Sequence, residues 1–431
     1  MKITKINIQL WLKVLIIAVM FDAYSIINIG DFSVTPFIIV ASLFIIYMCF
    51  VKFGGNNKIT INNNIILVLF SIYVLFNWGL YNFSNINSFI QTMFYIILFL
   101  LSYRKESEQE FEGYINLFNK VMTIMAVYGI YQFIGRIIGL PFTDFYIEGH
   151  MVSGYNWSNT TNFMGMVVYR SNAIFREPSY FSQMLAISIL LEIVALLEKV
   201  KNDKKLYVRL GIKVIAMILT LSGTCYIIIT VGLGLFLIRK INNKKLLKRI
   251  VFISTIIVIL GIYTLLFTPI GDYLISRVSE LFVYTKDASA GYVRFRSWIF
   301  VLQDAWKKSM LFGAGIGTGK IFIQKWSNLF YAMTLNGLAR VAAELGIIGF
   351  FLWSVFIISF QFRKKNIKIS NSYFMIACVI IPFAIAHETF SSNSYWIFLL
   401  VLNSKIVLKR KMEKINYEQG KNYSKLFATI S

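Results

Sequence analysis

A chain of 431 residues that is 57% hydrophobic and only 15% charged is too apolar to be an ordinary soluble domain. Its mean hydropathy of +0.66 comes from apolar runs long enough to cross ~30 Å of hydrocarbon as helix. The formal net charge of +23 falls in short clusters between those runs, such as 199–205 and 239–249, which is the pattern of cytoplasmic loops. A nucleic-acid partner would require that charge on one folded face with aromatic residues between, so none is expected.

In chain order, spans are predicted near 11–29, 33–51, 65–82, 86–103, 115–140, 179–198, 207–222, 224–239, 250–268, 341–360, 371–387 and 394–409. The first lacks a small-residue cleavage site and leads straight into the second, so it reads as a span and not as a signal peptide. With both termini inside, most of the 43 Lys and Arg fall in cytoplasmic segments, and a frame shift of one helix inverts that bias. The expected fold is all-α, a polytopic transmembrane bundle of about 12 spans with both termini cytoplasmic. Asp22 is the main charge placed inside a predicted span. Cys49, Cys225 and Cys378 all lie in apolar runs without metal or disulfide spacing and read as small buried hydrophobes.

Two outer segments, 141–178 and 269–340, are too long for simple turns and too aromatic for disordered tails. In the second, Leu274, Val278, Leu281 and Phe282 recur at helical spacing, as do Trp298, Leu302, Ala305 and Trp306. Such helices would lie in the outer interface or form a cap packed on the bundle.

Candidate chemistry concentrates outside. Seven of the 13 arginines, Arg136, Arg170, Arg176, Arg277, Arg294, Arg296 and Arg340, fall in outer segments, whereas lysine dominates inside. Positive-inside topology does not distinguish Arg from Lys, but a planar bidentate donor is what phosphate or carboxylate recognition requires. The competing reading pairs these arginines with outer acids. In the stretch from Arg170 to Tyr180, Pro178 suits the first turn of a helix whose free N–H groups favour an anion, with Arg176 beside them. Glu177 is either a base or a salt-bridging cap. Further along come Arg294-Phe-Arg296-Ser-Trp298, then a glycine-rich turn at 313–319 that lacks Walker spacing and reads as a plain flexible turn. Arg340 opens a later span. His387-Glu388 ends the next one, and imidazole beside carboxylate can act as a base, although both histidines, His150 and His387, can equally be structural. No spacing of His, Asp and Glu suggests a metal, and no cofactor is expected.

Four stretches together resemble the Wzy-type O-antigen and capsular polysaccharide polymerases, within the O-antigen ligase/polymerase group. They are Phe175-Arg-Glu-Pro-Ser179, Leu219-Thr-Leu-Ser-Gly-Thr224, Arg296-Ser-Trp298 with the Gly313–Gly319 turn, and Ala343-Glu-Leu-Gly-Ile-Ile-Gly349. The resemblance implies a glycosyltransferase of the bacterial cytoplasmic membrane, working at its outer face on polyprenyl-pyrophosphate-linked oligosaccharide. A flippase and a chain-length regulator would be its companions. On that analogy Arg170, Arg176, Arg294, Arg296 and Arg340 would hold the pyrophosphate, Glu177 or His387/Glu388 would deprotonate the acceptor hydroxyl, and Tyr180, Trp298 and Asn336 would contact sugar. Ligases of the group carry a His-Asn pair shortly before the Ala-Glu-Leu-Gly stretch. This chain reads Leu335-Asn336 there, which favours polymerase over ligase. A transporter of the flippase class is the reading from a different class. It would need short outer loops and charges in a central cavity.

Overall fold

The computed structural model describes residues 4–29, 32–53, 65–83, 85–152, 155, 159–163, 166–198, 204–240, 297–319, 321–322, 336–362, 370–387, 389 and 392–406. The described elements are α1 (Thr4–Ala18, continued by a 3-10 turn to Phe21), β1 (Ile27–Ile29), β2 (Phe32–Val34), α2 (Pro36–Phe53), α3 (Ile65–Leu80), α4 (Ile86–Leu101), β3 (Arg104–Glu106) and α5 (Glu108–Ile138). They continue with β4 (Thr160–Phe163), β5 (Met166–Tyr169), α6 (Pro178–Glu198), α7 (Lys204–Leu219), α8 (Thr224–Lys240), α9 (Ser297–Trp306), α10 (Gly337–Ser359), α11 (Asn371–Ala386), α12 (Asn393–Leu402) and β6 (Ser404–Ile406).

Each predicted span in the described residues overlaps a helix, but the first, placed at 11–29, is helical only as far as Phe21 and ends in β1; the span at 250–268 lies outside the described residues, as does the stretch from Leu274 to Phe282. Helix is the only local structure that pairs its own backbone in hydrocarbon, so apolar runs of this length have no other stable form there. Three helices, Glu108–Ile138, Pro178–Leu197 and Gly337–Ser359, are long and apolar enough to cross a membrane by length and composition. The protein is a helical, multi-pass membrane protein.

The centre is built from α6, α11 and α12, whose side chains are buried on nearly every face. Helix α11 packs on α6, α8, α10 and α12, and α6 packs on α5, α7 and α8. Around them, α1 to α5 expose large apolar side chains such as Ile46, Phe50, Ile72 and Ile124, as lipid-facing helices do. A short parallel ladder joins β3 to β6. Beside it Arg104 donates to Glu106 and to the carbonyls of Leu400 and Val401, closing the C-terminal end of α12. The all-α expectation needs two further additions, because the hairpins β1–β2 and β4–β5 are antiparallel strand pairs in outer connections read as irregular. Helix α9 packs on α10 through Val301 and Ala305, so this part of the second long loop is a cap on the bundle.

Two charge placements differ from expectation. Asp22 follows the end of α1 and accepts from the Asn393 amide at the start of α12, so it is at a helix end and not within a span. Charges buried within the bundle include Glu192 on α6 and Lys213 on α7, 2.8 Å apart, with neither side chain exposed. Ser188 accepts from Lys213 and donates to Asn119 of α5, and Arg209 approaches Glu192 at 3.5 Å. Both charges fall inside apolar runs in the sequence, Glu192 in 179–198 and Lys213 in 207–222. Their pairing is what makes either tolerable in low dielectric.

Removing Lys213 leaves the buried Glu192 with only the more distant, partly exposed Arg209 as a counter-charge. Lys213→Met is expected to cost about 3–5 kcal/mol, with Lys213→Met/Glu192→Leu recovering most of that loss. Unfolding of the purified protein in detergent, followed by circular dichroism, measures both. A double variant no more stable than the single one would show that the pair is not the source.

Candidate functional site

The stretch from Arg170 to Tyr180 is fixed by a knot of hydrogen bonds to α5. The side-chain carbonyl of Gln132 accepts from the backbone N–H groups of Asn172 and Ala173, both at 2.9 Å. The Gln132 amide donates to Asn172 Oδ1 at 3.0 Å, and the Ser171 hydroxyl donates to the Gly129 carbonyl at 2.8 Å. Gly129 has to be glycine for this contact, since a Cβ there would lie 2.7 Å from the Phe181 ring and 2.8 Å from Ser171 Oγ. Nearby in the same outer loop, burial pushes the Tyr155 phenol up, partly offset by a hydrogen bond with Asn172.

Helix α6 then begins at Pro178, as Pro at a first helical position predicts. The Glu177 carbonyl accepts the first helical N–H groups, from Tyr180 and Phe181, and its carboxylate accepts from Ser179 at 3.0 Å. Glu177 therefore caps the helix, while Arg176, Glu177 and Tyr180 remain half-buried and so partly accessible. Arg170 stands on the α5–α7 side. Its Nε donates to the Thr220 carbonyl at the end of α7, and Arg136 reaches its backbone carbonyl.

The structure brings His387, Tyr180 and the start of α10 together. The imidazole of His387 meets the Tyr180 ring edge-on at 4.3 Å and stacks on Phe383 at 5.0 Å. The His387 carbonyl accepts from Gly337 N–H at 3.1 Å, and a Cβ on Gly337 would collide with it at 2.5 Å. Gln183, one turn into α6, donates to the Ala386 carbonyl. Asn336 caps α10 by accepting from Leu338 and Ala339. Trp298 packs against the cluster that includes Ala339 and Ala343 on the same helix. Thus Tyr180, Trp298, Asn336, Arg340 and His387 gather around the first turns of α10. Arg294, Arg296 and Glu388 lie outside the described residues.

Arg340 is buried, and its Nε donates to Glu344 one turn on at 2.9 Å. The two carboxylate oxygens of Glu344 also accept from the backbone N–H groups of Gly317 (2.9 Å) and Gly319 (3.0 Å). The glycine-rich segment is no flexible turn: every residue from Gly313 to Gly319 is buried. It enters where α10 breaks at Gly346, whose φ of +66° is a left-handed backbone. The N–H groups of Ile347 and Ile348, freed by the break, donate to the carbonyls of Met310 and Leu311. Tyr73 donates to the Leu345 carbonyl and Asn77 to the Phe312 carbonyl, so α3 holds both sides of the junction. The i,i+4 spacing of Arg340 and Glu344 was readable in the sequence, but the role of Glu344 as the anchor of the glycine segment was not.

Residues 210–354 match the family model of O-antigen ligase. The matched third of the chain runs from α7 through the first part of α10 and includes the glycine segment, Arg340 and Glu344. It supports a membrane enzyme of the O-antigen ligase/polymerase type, glycosyltransferase-like and acting on lipid-linked glycan. The segments carrying Arg176, Tyr180 and His387 lie outside the match. No curated protein matches the chain. Among the described residues no group of three or more His, Cys, Asp or Glu is placed to hold a metal ion.

Glu344→Ala strands a buried guanidinium and two buried N–H groups, and is expected to destabilise by about 3–5 kcal/mol, whereas Glu344→Gln keeps an acceptor and costs less. Melting temperatures of the two variants in detergent decide this. Equal losses would sink the anchor role. At the break, Gly346→Ala places a Cβ 2.2 Å from the Leu311 carbonyl oxygen and forces a left-handed alanine, while Gly211 on α7 has open space. The yield of folded protein should fall sharply for Gly346→Ala and stay near wild type for Gly211→Ala.

Proposed function

We propose that this protein is a polymerase that joins polyprenyl-pyrophosphate-linked oligosaccharide repeat units at the outer face of the bacterial cytoplasmic membrane, with both its termini in the cytoplasm. The observation that carries the reading is the gathering of Tyr180, His387 and the Arg340 helix at one end of the bundle, beside the accessible Arg176–Glu177 pair at the start of α6. The match of residues 210–354 to the O-antigen ligase model supports the reaction class.

In this reading Arg176 holds the pyrophosphate beside the positive end of the α6 dipole and neutralises charge on the leaving group. Arg170, earlier in the same loop, supplies a second cation from the α5–α7 side, and Arg294 and Arg296 complete the set from the outer segment. The base is Glu177 or His387, with Glu388 beside the latter. Tyr180, Trp298 and Asn336 line the sugar path. The reaction forms the new glycosidic bond to the acceptor hydroxyl as the bond from sugar to pyrophosphate breaks. The hydroxyl proton goes to the base, so no metal or nucleotide is needed.

Polymerase is preferred to ligase because Leu335 stands where ligases of the group carry a histidine. His387 supplies an imidazole close to that place by a different route, since its carbonyl is bonded to Gly337, the residue after Asn336. This supports His387 as the base. The ligase reading is favoured by the name of the matching model. Transport has no such support, and the Glu192–Lys213 pair is sealed between helices rather than lining a cavity.

Arg176→Ala is expected to abolish long polysaccharide while single lipid-linked units accumulate outside. Gel analysis of glycan from a deletion strain carrying the variant reads this out. Normal chain lengths would remove Arg176 from the site, and units trapped on the cytoplasmic leaflet of the deletion strain would replace the polymerase reading with transport.

A further inference from the structure

Past α5 the first outer loop turns back on the helix. Gly139, with φ +74°, reverses the chain, and Leu140 N–H returns to the Gly135 carbonyl. Three tyrosine hydroxyls then fix the returning backbone. Tyr131 donates to the Pro141 carbonyl at 2.5 Å, Tyr128 to the Phe142 carbonyl at 3.0 Å and Tyr24 to the Phe145 carbonyl at 2.8 Å. Their rings come with them. Tyr128 lies 5.2 Å from Phe145, and Tyr146 lies 6.3 Å from Tyr155. The loop thus carries a group of aromatic rings in which Phe142, Phe145 and Tyr146 are exposed.

Stability does not account for this group. Phe142 is 76% exposed, so its ring buries little, and its φ of +58° is a left-handed backbone that strains a bulky side chain. Glycine or asparagine would make the same turn with less strain. Strain of this kind gathers where a chain meets a ligand. The surroundings of the rings are polar. Among the described residues no backbone N–H from 142 to 147 has a protein partner. Asp144, although paired with Arg136, keeps half of its side chain exposed, and Glu148 is exposed beside it. Open amides and carboxylates need water or a polar ligand, so acyl chains do not cover this surface. A sugar meets both demands. Its C–H face packs on an aromatic ring, and its hydroxyls donate to carboxylates and accept from amides.

The surface is continuous with the candidate site. Arg136, one turn beyond Gln132 on α5, donates to the Asp144 carboxylate and to the Arg170 carbonyl, and lies 5.4 Å over the Tyr169 ring. Tyr155 shares a hydrogen bond with Asn172. We propose that Phe142, Phe145 and Tyr146 form a second glycan site, which holds sugar units of the growing chain away from the bond being made. The identity of the glycan rests on the proposed reaction. Holding the chain at a second point raises the effective concentration of its reacting end. The site therefore sets polymer length and leaves the first linkage unaffected.

The test titrates the full-length protein in detergent with the host strain's polysaccharide, released from its lipid by mild acid, and reads binding by calorimetry. Phe142→Ala and Tyr146→Ala are each expected to weaken binding about tenfold, the loss of one ring contact. Ile137→Ala, on the neighbouring exposed face of α5, is expected to bind as wild type. Equal binding by wild type and both ring variants overturns the proposal, and so does no binding by the wild type. In a deletion strain the two ring variants should restore polymer of shorter length, and normal length overturns the proposal. Failure of the wild-type gene to restore polymer overturns the polymerase reading itself, and the titration still decides the site. A nitroxide at Phe142→Cys in a Cys49→Ala background, in phospholipid vesicles, checks the alternative of a lipid contact, Cys225 and Cys378 being buried. Ready collision with a water-soluble nickel chelate is expected, whereas the oxygen-rich, nickel-poor signal of Ile137→Cys would assign the surface to lipid and overturn the proposal.

Discussion

The junction between the first half of α10 and the glycine segment depends on one buried carboxylate. Glu344 accepts from a guanidinium on its own helix and from two amides of a segment some 25 residues away in sequence, and none of these groups reaches water. In an apolar bundle each would be costly alone, so the four act as a unit. Gly346 lets the helix open, the glycine segment enters, and the amides on the far side of the break find carbonyls from residues 310 and 311. The result is irregular backbone held at depth inside a membrane protein, permitted because it is enclosed by protein.

The same rule runs through the rest of the molecule. The Gln132 side chain completes the backbone of the loop that carries Arg170 and Arg176. Tyr128, Tyr131 and Tyr24 complete the carbonyls of the segment after α5. Lys213 completes Glu192. In both of these irregular segments a polar side chain from elsewhere in the fold completes part of the backbone. Glu344, Gln132 and His387 are buried, whereas Arg176, Glu177 and Tyr180 are half-buried.

This arrangement separates the roles of the outer arginines. Arg340 and Arg170 each commit a guanidinium N–H to protein, to Glu344 and to the Thr220 carbonyl. Arg136 is committed to Asp144 and to the carbonyl of residue 170. Arg176, just before α6, is half-buried. At the other three positions arginine serves pairing within the fold, to a carboxylate or a backbone carbonyl.

The sequence alone determined the helices, because an apolar run of some twenty residues has one stable backbone state in hydrocarbon. It also determined the start of α6, since Pro178 and Glu177 are local signals, and the family resemblance that the match to residues 210–354 supports in its coarser form. Tertiary structure decided what pairs with what. Glu192 and Lys213 lie on different helices, and Gly313 to Gly319 looked mobile until Glu344 was placed against it. His387 meets Tyr180 across some two hundred residues of chain. No local spacing encodes these contacts, because each is set by how helices pack side by side, and that packing is fixed by burial and by the need to satisfy every polar group the bundle encloses.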